Sequence, residues 1–295
     1  MTMRIGSHIS SGGSFPASVR EMDRLGGNCL QVFSRNPRGG RARKLGSSEV
    51  EEFASERTRL DVTPAVLHLP YTVNLASAKD GAREFGRRVV AEDLIRGALL
   101  GVEFLVMHPG SHGGQGLERG MELAAEGLRW ARNWAEEGSP EGRLPDLVLE
   151  NMAGSGTEVG GELEHLGEIL ELAGSPPWLR FCLDTAHAHG AGYRLWEPED
   201  RENMMEGWRK SVGLDRLAMV HLNDSKVAAG SRRDRHQLLG QGEIGQAGLK
   251  PLLQHPNLKH LPFIIESPVE KQDDYAGEIR LSFQWAEEGS LGSDE

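Results

Sequence analysis

The pattern that decides the fold is clearest in residues 104–137, which read FLVMHPGSHGGQGLERGMELAAEGLRWARNWAEE. The apolar run Phe104–His108 ends in a polar residue, the glycine-rich segment Gly110–Gly116 follows, and Leu117–Glu137 has apolar residues at helical spacing. A short apolar strand followed by an amphipathic helix is typical of a parallel sheet, because the helix carries the chain back to the start of the next strand.

The same strand-helix unit recurs along the whole chain. Seven further strands are predicted at Arg4–Ile9, Cys29–Ser34, Pro64–Leu69, Leu147–Asn151, Arg180–Thr185, Leu217–Leu222 and Pro262–Ser267. Eight such units predict an α/β protein with a single (β/α)8 TIM barrel, one domain over residues 1–295 with an acidic tail from about residue 286. In these barrels the functional site lies at the C-terminal face of the strands. We expect three long loops at that face, Arg35–Lys44, Gly110–Gly116 and Ser225–Gly245.

Composition favours a protein of the cytoplasm. No apolar run approaches the roughly 18 residues that a membrane span needs, and nothing resembles a signal peptide. The two cysteines, Cys29 and Cys182, lie inside predicted strands, so we expect both to be buried and reduced. We therefore predict a cytoplasmic protein without a membrane segment, and we expect a monomer.

The charge of the chain, taken alone, argues against a polyanionic partner, because the formal net charge is -11. Divalent cations held by carboxylates would reverse that conclusion near a site. Two basic segments also stand out, the loop Arg35–Lys44 and the run Arg232–Arg235. Each is interpreted either as a phosphate-contacting surface or as a solvated loop.

Polar residues at the strand ends carry the chemical information. They are His8, His68, His108, Glu150, Asp184, His221 and Glu266. A barrel brings these ends to one face, where several carboxylates would repel one another unless cations neutralised them. Mixed imidazole and carboxylate ligands suit zinc, with manganese as the usual competitor. The sequence therefore predicts a metal centre.

Further ligands are expected beyond the strand ends. His187 follows Asp184 by three residues on a predicted loop, and Asp234 and His236 are two apart in the loop after the seventh strand. Nine ligands exceed what one tetrahedral ion takes, and they suit three ions if a carboxylate, Glu150, bridges two of them. Closely spaced divalent ions are typical of phosphoester hydrolysis.

Several longer motifs resemble one known family. They are His221-Leu-Asn-Asp-Ser-Lys226, Gly230-Ser-Arg-Arg-Asp-Arg-His236, Leu239-Gly-Gln-Gly-Glu-Ile-Gly245, Asp184-Thr-Ala-His-Ala-His-Gly-Ala-Gly-Tyr193 and His108-Pro-Gly-Ser-His112. The chain resembles endonuclease IV, the zinc-dependent apurinic/apyrimidinic endonucleases of base-excision repair, over essentially its whole length.

The resemblance implies three zinc ions per chain, with manganese possible at one site. The implied ligand sets are His68, His108 and Glu150; Glu150, Asp184, His221 and Glu266; and His187, Asp234 and His236. The implied substrate is double-stranded DNA with abasic sites or blocked 3′ ends. Cleavage 5′ to the flipped-out abasic nucleotide would leave a 3′-hydroxyl and a 5′-deoxyribose phosphate. Glu150, as the bridge, would position the nucleophile, a metal-bound hydroxide.

Other residues are candidates for DNA contact or for orienting the ligands. The candidate DNA contacts are His8, Arg35, Arg38, Tyr71, Arg232, Arg233 and Arg235. Asn223 and Asp224 are candidates for orienting the metal-binding imidazoles.

Two alternatives to the nuclease stay open. The first is a metal-dependent sugar isomerase or epimerase on the same barrel, for which Glu150, Asp184, His221 and Glu266 would suffice. Such an enzyme has no evident use for His68, His108 and the Asp234/His236 pair together. The second is a DNA-binding or structural protein that has lost activity, whose mark would be a missing ligand.

Overall fold

The computed structural model describes residues 2–11, 13–37, 40–138 and 143–288. Eight parallel strands close into a barrel in which consecutive strands pair and the last pairs with the first. They are β1 (Arg4–His8), β2 (Cys29–Phe33), β3 (Ala65–His68), β4 (Phe104–Met107), β5 (Asp146–Glu150), β6 (Leu179–Asp184), β7 (Leu217–His221) and β8 (Pro262–Ile265). The predicted TIM barrel is confirmed, and each strand agrees with its predicted bounds to within two residues.

Helices surround the barrel. They are α1 (Phe15–Arg24), α2 (Ser47–Leu60), α3 (Asp80–Leu100), α4 (Leu117–Gly138), α5 (Leu163–Leu172), α6 (Thr185–Ala191), α7 (Pro198–Ser211), α8 (Gly245–Gln254) and α9 (Tyr275–Glu287), with short 3-10 helices at Leu214–Arg216 and Gln272–Asp274. None of the helices in the described ranges is both long and apolar enough to cross a membrane. The last residues of the predicted acidic tail lie outside those ranges.

Two elements near the C-terminal face depart from the sequence prediction. Helix α6 begins directly after β6, so His187 lies in a helix and not in the predicted loop. The long loop after β7 contains a small antiparallel hairpin of Asp224–Ser225 and His236–Gln237. Strands of two residues are too short to leave a periodic pattern in the sequence.

The barrel interior is built in layers because alternate residues of a strand share a face. Its apolar layer consists of Val66, Val106, Val148, Cys182, Ala218 and Met219. Two residues beyond Val66, Val148 and Cys182 come His68, Glu150 and Asp184, which therefore point into the same interior one layer higher. Both cysteines are buried and free, as predicted. The layer that contains His68, Glu150 and Asp184 therefore packs directly against the apolar layer.

A buried ion pair attaches the loop after β2 to helix α3. The guanidinium of Arg35 is only 1% exposed and lies 2.6 Å from Asp93, which is fully buried. Asp93 also accepts a hydrogen bond from the hydroxyl of Ser34, and Arg35 donates to the carbonyl of Gly40. Arg35, predicted as a DNA contact, is therefore a structural residue. The reason is its partner 58 positions away, which no local pattern reveals.

Breaking this pair should cost stability. Asp93→Ala would leave the buried guanidinium of Arg35 with only the partly exposed Glu92 as a carboxylate partner, and removing the buried partner of such a pair costs about 3–5 kcal/mol. We expect chemical denaturation to show that decrease in the free energy of unfolding. The matched control is Asp80→Ala on the same helix, because the Asp80 side chain is 85% exposed where it pairs with Arg83. The control should change stability by less than about 1 kcal/mol, and similar losses in the two variants would contradict the assignment.

Candidate metal centre

The nine predicted ligands converge at the C-terminal face of the barrel. Eight of them, all except Asp234, form three groups in each of which the potential ligand atoms lie within 4.8 Å of one another. The groups are His68, His108 and Glu150; Glu150, Asp184, His221 and Glu266; and Asp184, His187 and His236. Glu150 belongs to the first two groups and Asp184 to the last two, so the three form one continuous cluster.

The first group is built on one carboxylate oxygen. Nε2 of His68 lies 3.5 Å from Oε2 of Glu150, and Nε2 of His108 lies 3.4 Å from the same oxygen. Nδ1 of His68 is 2.7 Å from the carbonyl oxygen of Leu69, to which it can only donate. This contact places the ring proton on Nδ1 and leaves the Nε2 lone pair free to bind an ion.

The second group uses the other oxygen of Glu150. Nδ1 of His221 lies 3.3 Å from Oε1 of Glu150 and 3.4 Å from Oε2 of Glu266. Asp184 approaches the same nitrogen at 3.9 Å. Because its two oxygens face different groups, Glu150 has the geometry of a bridging carboxylate.

The third group joins helix α6 to the hairpin loop. Nε2 of His187 lies 3.4 Å from Oδ2 of Asp234, and Nε2 of His236 lies 3.0 Å from Oδ1 of the same carboxylate. The sequence predicted Asp234 here, and the structure adds Asp184, whose carboxylate lies close to His187 and His236. The Asp184 carboxylate also caps α6, since its Oδ1 accepts a hydrogen bond of 2.7 Å from the backbone amide of His187.

Close packing of the loop against α6 sets the position of Asp234. The backbone amides of Gly230 and Arg232 donate to the carbonyls of His189 and Gly190. A Cβ at Gly190 would lie 3.0 Å from the carbonyl oxygen of Arg233, so glycine at this position lets the loop approach the helix closely. His189 secures the loop further, since its Nε2 donates to the carbonyl of Val227.

Unpaired atoms show that this cluster suits cations. Among the described residues, several buried polar atoms of the cluster have no hydrogen-bond partner: Oε2 of Glu150, both ring nitrogens of His187, Nδ1 of His221 and Nε2 of His236. Buried polar atoms without a partner are rare in proteins and costly. Here they belong to the residues of the ligand groups, where coordination to an ion would satisfy them. Imidazole and carboxylate donors are those that zinc prefers.

Electrostatics support the same interpretation. Burial opposes ionisation of Glu150, but the His221 and His108 imidazoles outweigh it and hold the pKa of Glu150 well below its usual value. Burial likewise opposes the charged form of His236, yet the Asp234 carboxylate raises the pKa of His236 to about 9. The buried carboxylates of the cluster thus stay ionised only with positive charge nearby. Raised pKa values at His187, His221 and His236 favour protonated rings that supply it when no ion is bound, and divalent cations would supply it otherwise.

Asn223 and Asp224 differ from the prediction in what they orient. Nδ2 of Asn223 donates to Asp184 at 2.7 Å and to Glu266 at 3.2 Å, so it holds two carboxylates and not an imidazole. Asp224 accepts hydrogen bonds from four backbone amides, those of Ser225, Gly242, Ile244 and Gly245. Its role is to close the long loop against the start of α8.

The remaining candidate DNA contacts differ in solvent exposure and in whether another side chain already pairs with them. Tyr71 is 64% exposed, and its ring centroid lies 5.8 Å from that of His68 and 5.7 Å from that of His108. Arg233 and Arg235 are exposed, whereas Arg232 pairs with Glu162 at 2.7 Å. Arg38 lies outside the described residues.

His8 faces the cluster from β1. Its Nδ1 lies 3.2 Å from Oε1 of Glu266. A cavity of about 730 Å³ opens beside it, between the loops after β1 and β2, and is lined in part by Arg41 and Arg43. His8 thus touches a ligand carboxylate on one side and borders this basic cavity on the other.

One residue of the site was missed by the sequence analysis. Gln31 lies in the middle of β2, fully buried, and its amide reaches His8, His221 and Glu266. The available signal was a glutamine inside the otherwise apolar strand Cys29–Phe33. A buried amide requires hydrogen-bond partners, so an unexplained one points to a polar neighbour.

Comparisons with known proteins identify relatives over nearly the full chain. Residues 19–288 match the family described as xylose isomerase-like TIM barrel. The chain is 39% identical over 282 residues to "Probable endonuclease 4" of Moorella thermoacetica, and the match covers 95% of this chain and 98% of the relative. It is 37% identical to the solved endonuclease IV from Thermus thermophilus, with a TM-score of 0.85 over 97% of this chain and 99% of that one.

A more distant neighbour bears on the alternative function. A D-tagatose 3-epimerase-like protein has a TM-score of 0.71 over 98% of this chain and 99% of its own, at 19% sequence identity. Similarity at that level shows a shared fold alone, because this barrel hosts many chemistries.

Zinc should stabilise the protein through this cluster. A ligand that binds only the folded state adds about 2.7 kcal/mol at roughly 100 times its Kd. We expect zinc to raise the Tm of chelator-treated protein in a calorimetric scan, and to raise it less in Glu150→Gln, because Glu150 belongs to two ligand groups. The control is His255→Ala, since His255 lies against Glu202 outside the cluster. The idea fails if Glu150→Gln gains as much from zinc as the control.

Proposed function

We propose that this protein is a zinc-dependent endonuclease of DNA repair, because the chain belongs to the endonuclease 4 family of the xylose isomerase-like TIM barrels. Its reaction is hydrolysis of the phosphodiester 5′ to an abasic site in double-stranded DNA, which leaves a 3′-hydroxyl and a 5′-deoxyribose phosphate. Removal of blocking groups from 3′ ends is the same phosphoester chemistry and is part of the proposal.

One observation carries this proposal: the ligand atoms form three overlapping groups. A sugar isomerase or epimerase would be served by the second group, Glu150, Asp184, His221 and Glu266. It would have no role for the first group or for the hairpin ligands Asp234 and His236. Phosphodiester hydrolysis uses several cations, because charge builds on both the attacking and the leaving oxygen.

The residues present fit three zinc ions. They would be held by His68, His108 and Glu150; by Glu150, Asp184, His221 and Glu266; and by His187, Asp234 and His236 with Asp184 close by. Such ions supply the Lewis acidity that activates water and stabilises the developing negative charge, and manganese is an alternative at one site. Glu150 would fix the position of the first two groups relative to one another and orient the attacking water. Orienting the water requires the ionised carboxylate, which the lowered pKa of Glu150 favours.

Residues at the rim would contact the DNA. Tyr71 lies beside His68 and His108 and is largely exposed, which suits packing against an unpaired sugar. Arg233 and Arg235 flank Asp234 on the exposed loop, which suits contact with backbone phosphates. Arg232 contributes less, because its guanidinium is already paired with Glu162.

The third ligand group separates the nuclease from the isomerase. We expect the protein to nick a duplex that carries a tetrahydrofuran abasic analogue, without added magnesium. The double variant Asp234→Ala/His236→Ala should bind about two zinc ions instead of three and lose at least about 10²–10³-fold in cleavage rate, the usual cost of removing one stabiliser of developing charge. Metal analysis and gel-resolved single-turnover kinetics measure both quantities.

The controls for this experiment are an intact duplex and a set of ketose sugars. The intact duplex should stay uncut, and the double variant should still bind the abasic duplex, because phosphate contacts elsewhere supply most of the affinity. Normal cleavage by the double variant would reject the three-ion mechanism. Epimerisation of a sugar together with an uncut abasic duplex would establish the alternative function.

Salt dependence should identify the arginines that contact phosphates. Each phosphate contact contributes about -0.9 to the slope of log affinity against log salt for B-form DNA. We expect Arg233→Glu and Arg235→Glu each to flatten the slope by about one such contact. The control Arg209→Glu should leave it unchanged, because Arg209 lies in the last turn of α7, which leads away from the site. An unchanged slope in the first two variants would make their arginines solvated surface residues.

A further inference from the structure

The buried amide of Gln31 lies against the second ligand group. Gln31 is the central residue of β2, flanked by the apolar Leu30 and Val32, and is fully buried. Its Nε2 lies 2.7 Å from Oε1 of Glu266, and its Oε1 lies 3.0 Å from Nε2 of His221. The amide thus touches two of the four ligands in the group without being a ligand itself.

The chemistry of these partners leaves the amide one orientation. An ionised carboxylate only accepts hydrogen bonds, so the NH₂ end of Gln31 must face Glu266. The carbonyl end then faces His221, and it can only accept. Nε2 of His221 must therefore carry the ring proton. Nε2 of Gln31 also lies 3.0 Å from Nδ1 of His8.

This orientation determines what the two ligands present to an ion. With its proton on Nε2, His221 has an unshared electron pair on Nδ1, the atom that lies 3.3 Å from Glu150 and 3.4 Å from Glu266. Glu266 has its Oε1 occupied by Gln31, so its Oε2 is the oxygen turned toward the second group. The opposite tautomer of His221 would place a proton where the ion has to bind.

We propose that Gln31 is a positioning residue that selects the metal-binding tautomer of His221 and fixes the ligand oxygen of Glu266. The proposal rests on the metal centre of the proposed function, but it concerns residues that lie below the DNA-facing surface. Loss of Gln31 should weaken binding of one zinc ion about 10–100-fold, the usual effect of removing a partner of a metal ligand. The ions of the other groups should be retained.

The first test reads the tautomer directly. In the zinc-loaded protein labelled with ¹⁵N, long-range ¹H–¹⁵N correlation spectra of the histidine rings should show the His221 proton on Nε2 and a metal-shifted Nδ1. A proton on Nδ1, or binding of the ion through Nε2, would overturn the proposal. This measurement uses the unmodified chain, so it decides the matter even if variants fold poorly.

The second test removes the amide. Gln31→Met keeps the length of the side chain but can neither donate to Glu266 nor accept from His221 as an amide does. Competition with a chelator should show one ion bound about 10–100-fold more weakly, and turnover of the abasic duplex should fall in kcat with KM unchanged. The matched control is Val32→Ala, the next residue of β2, which faces the opposite side of the strand and should retain normal zinc affinity.

The outcomes separate this inference from the proposed function. Equal zinc affinity in Gln31→Met and Val32→Ala would reject the role of Gln31, whatever happens to DNA. A protein with the predicted His221 tautomer and the weakened ion in Gln31→Met, but without cleavage of abasic DNA, would support the role of Gln31 and reject the nuclease.

Discussion

The carboxylate of Glu150 is the interaction on which the rest of the site depends. It lies at the end of β5 with one oxygen toward His68 and His108 and the other toward His221. A carboxylate buried this deeply is stable only if positive charge surrounds it. The barrel provides that environment by aiming strand ends at one point, and the groups that satisfy Glu150 are the same groups that suit metal ions. The same residues therefore satisfy both the stability of the buried carboxylate and the binding of metal ions.

Much of the barrel and of the cluster is predictable from sequence, because both follow from local rules. Strands buried on two sides are continuously apolar, and the ligands His68, Glu150 and Asp184 mark the points where those apolar runs end. Since the C-terminal ends of parallel strands in a barrel share one face, identifying the ends is enough to predict that the ligands meet. The division of these ligands into sets that share Glu150 came from the family resemblance and not from these rules.

The rest depends on partners that are remote in the chain. Arg35 resembles part of a basic surface loop, but Asp93 on α3 draws it into the interior. Asp224 resembles a companion of His221, yet it binds the amides of a turn about twenty residues later. The place of Asp184 in the third group depends on the fold of the hairpin loop, whose strands are too short to recognise. Each of these differences concerns a polar residue whose neighbour is supplied by tertiary structure.

Asp184 has two structural roles, and together they restrict which residues can replace it. One of its oxygens caps helix α6 through the amide of His187, and the other accepts from Asn223 beside the second ligand group. Asparagine could cap the helix but would remove the negative charge, while glutamate would keep the charge on a side chain too long for the same cap. The two requirements together admit only aspartate. A lineage that altered the chemistry at this position would also have to rebuild the start of α6, and with it the placement of His187.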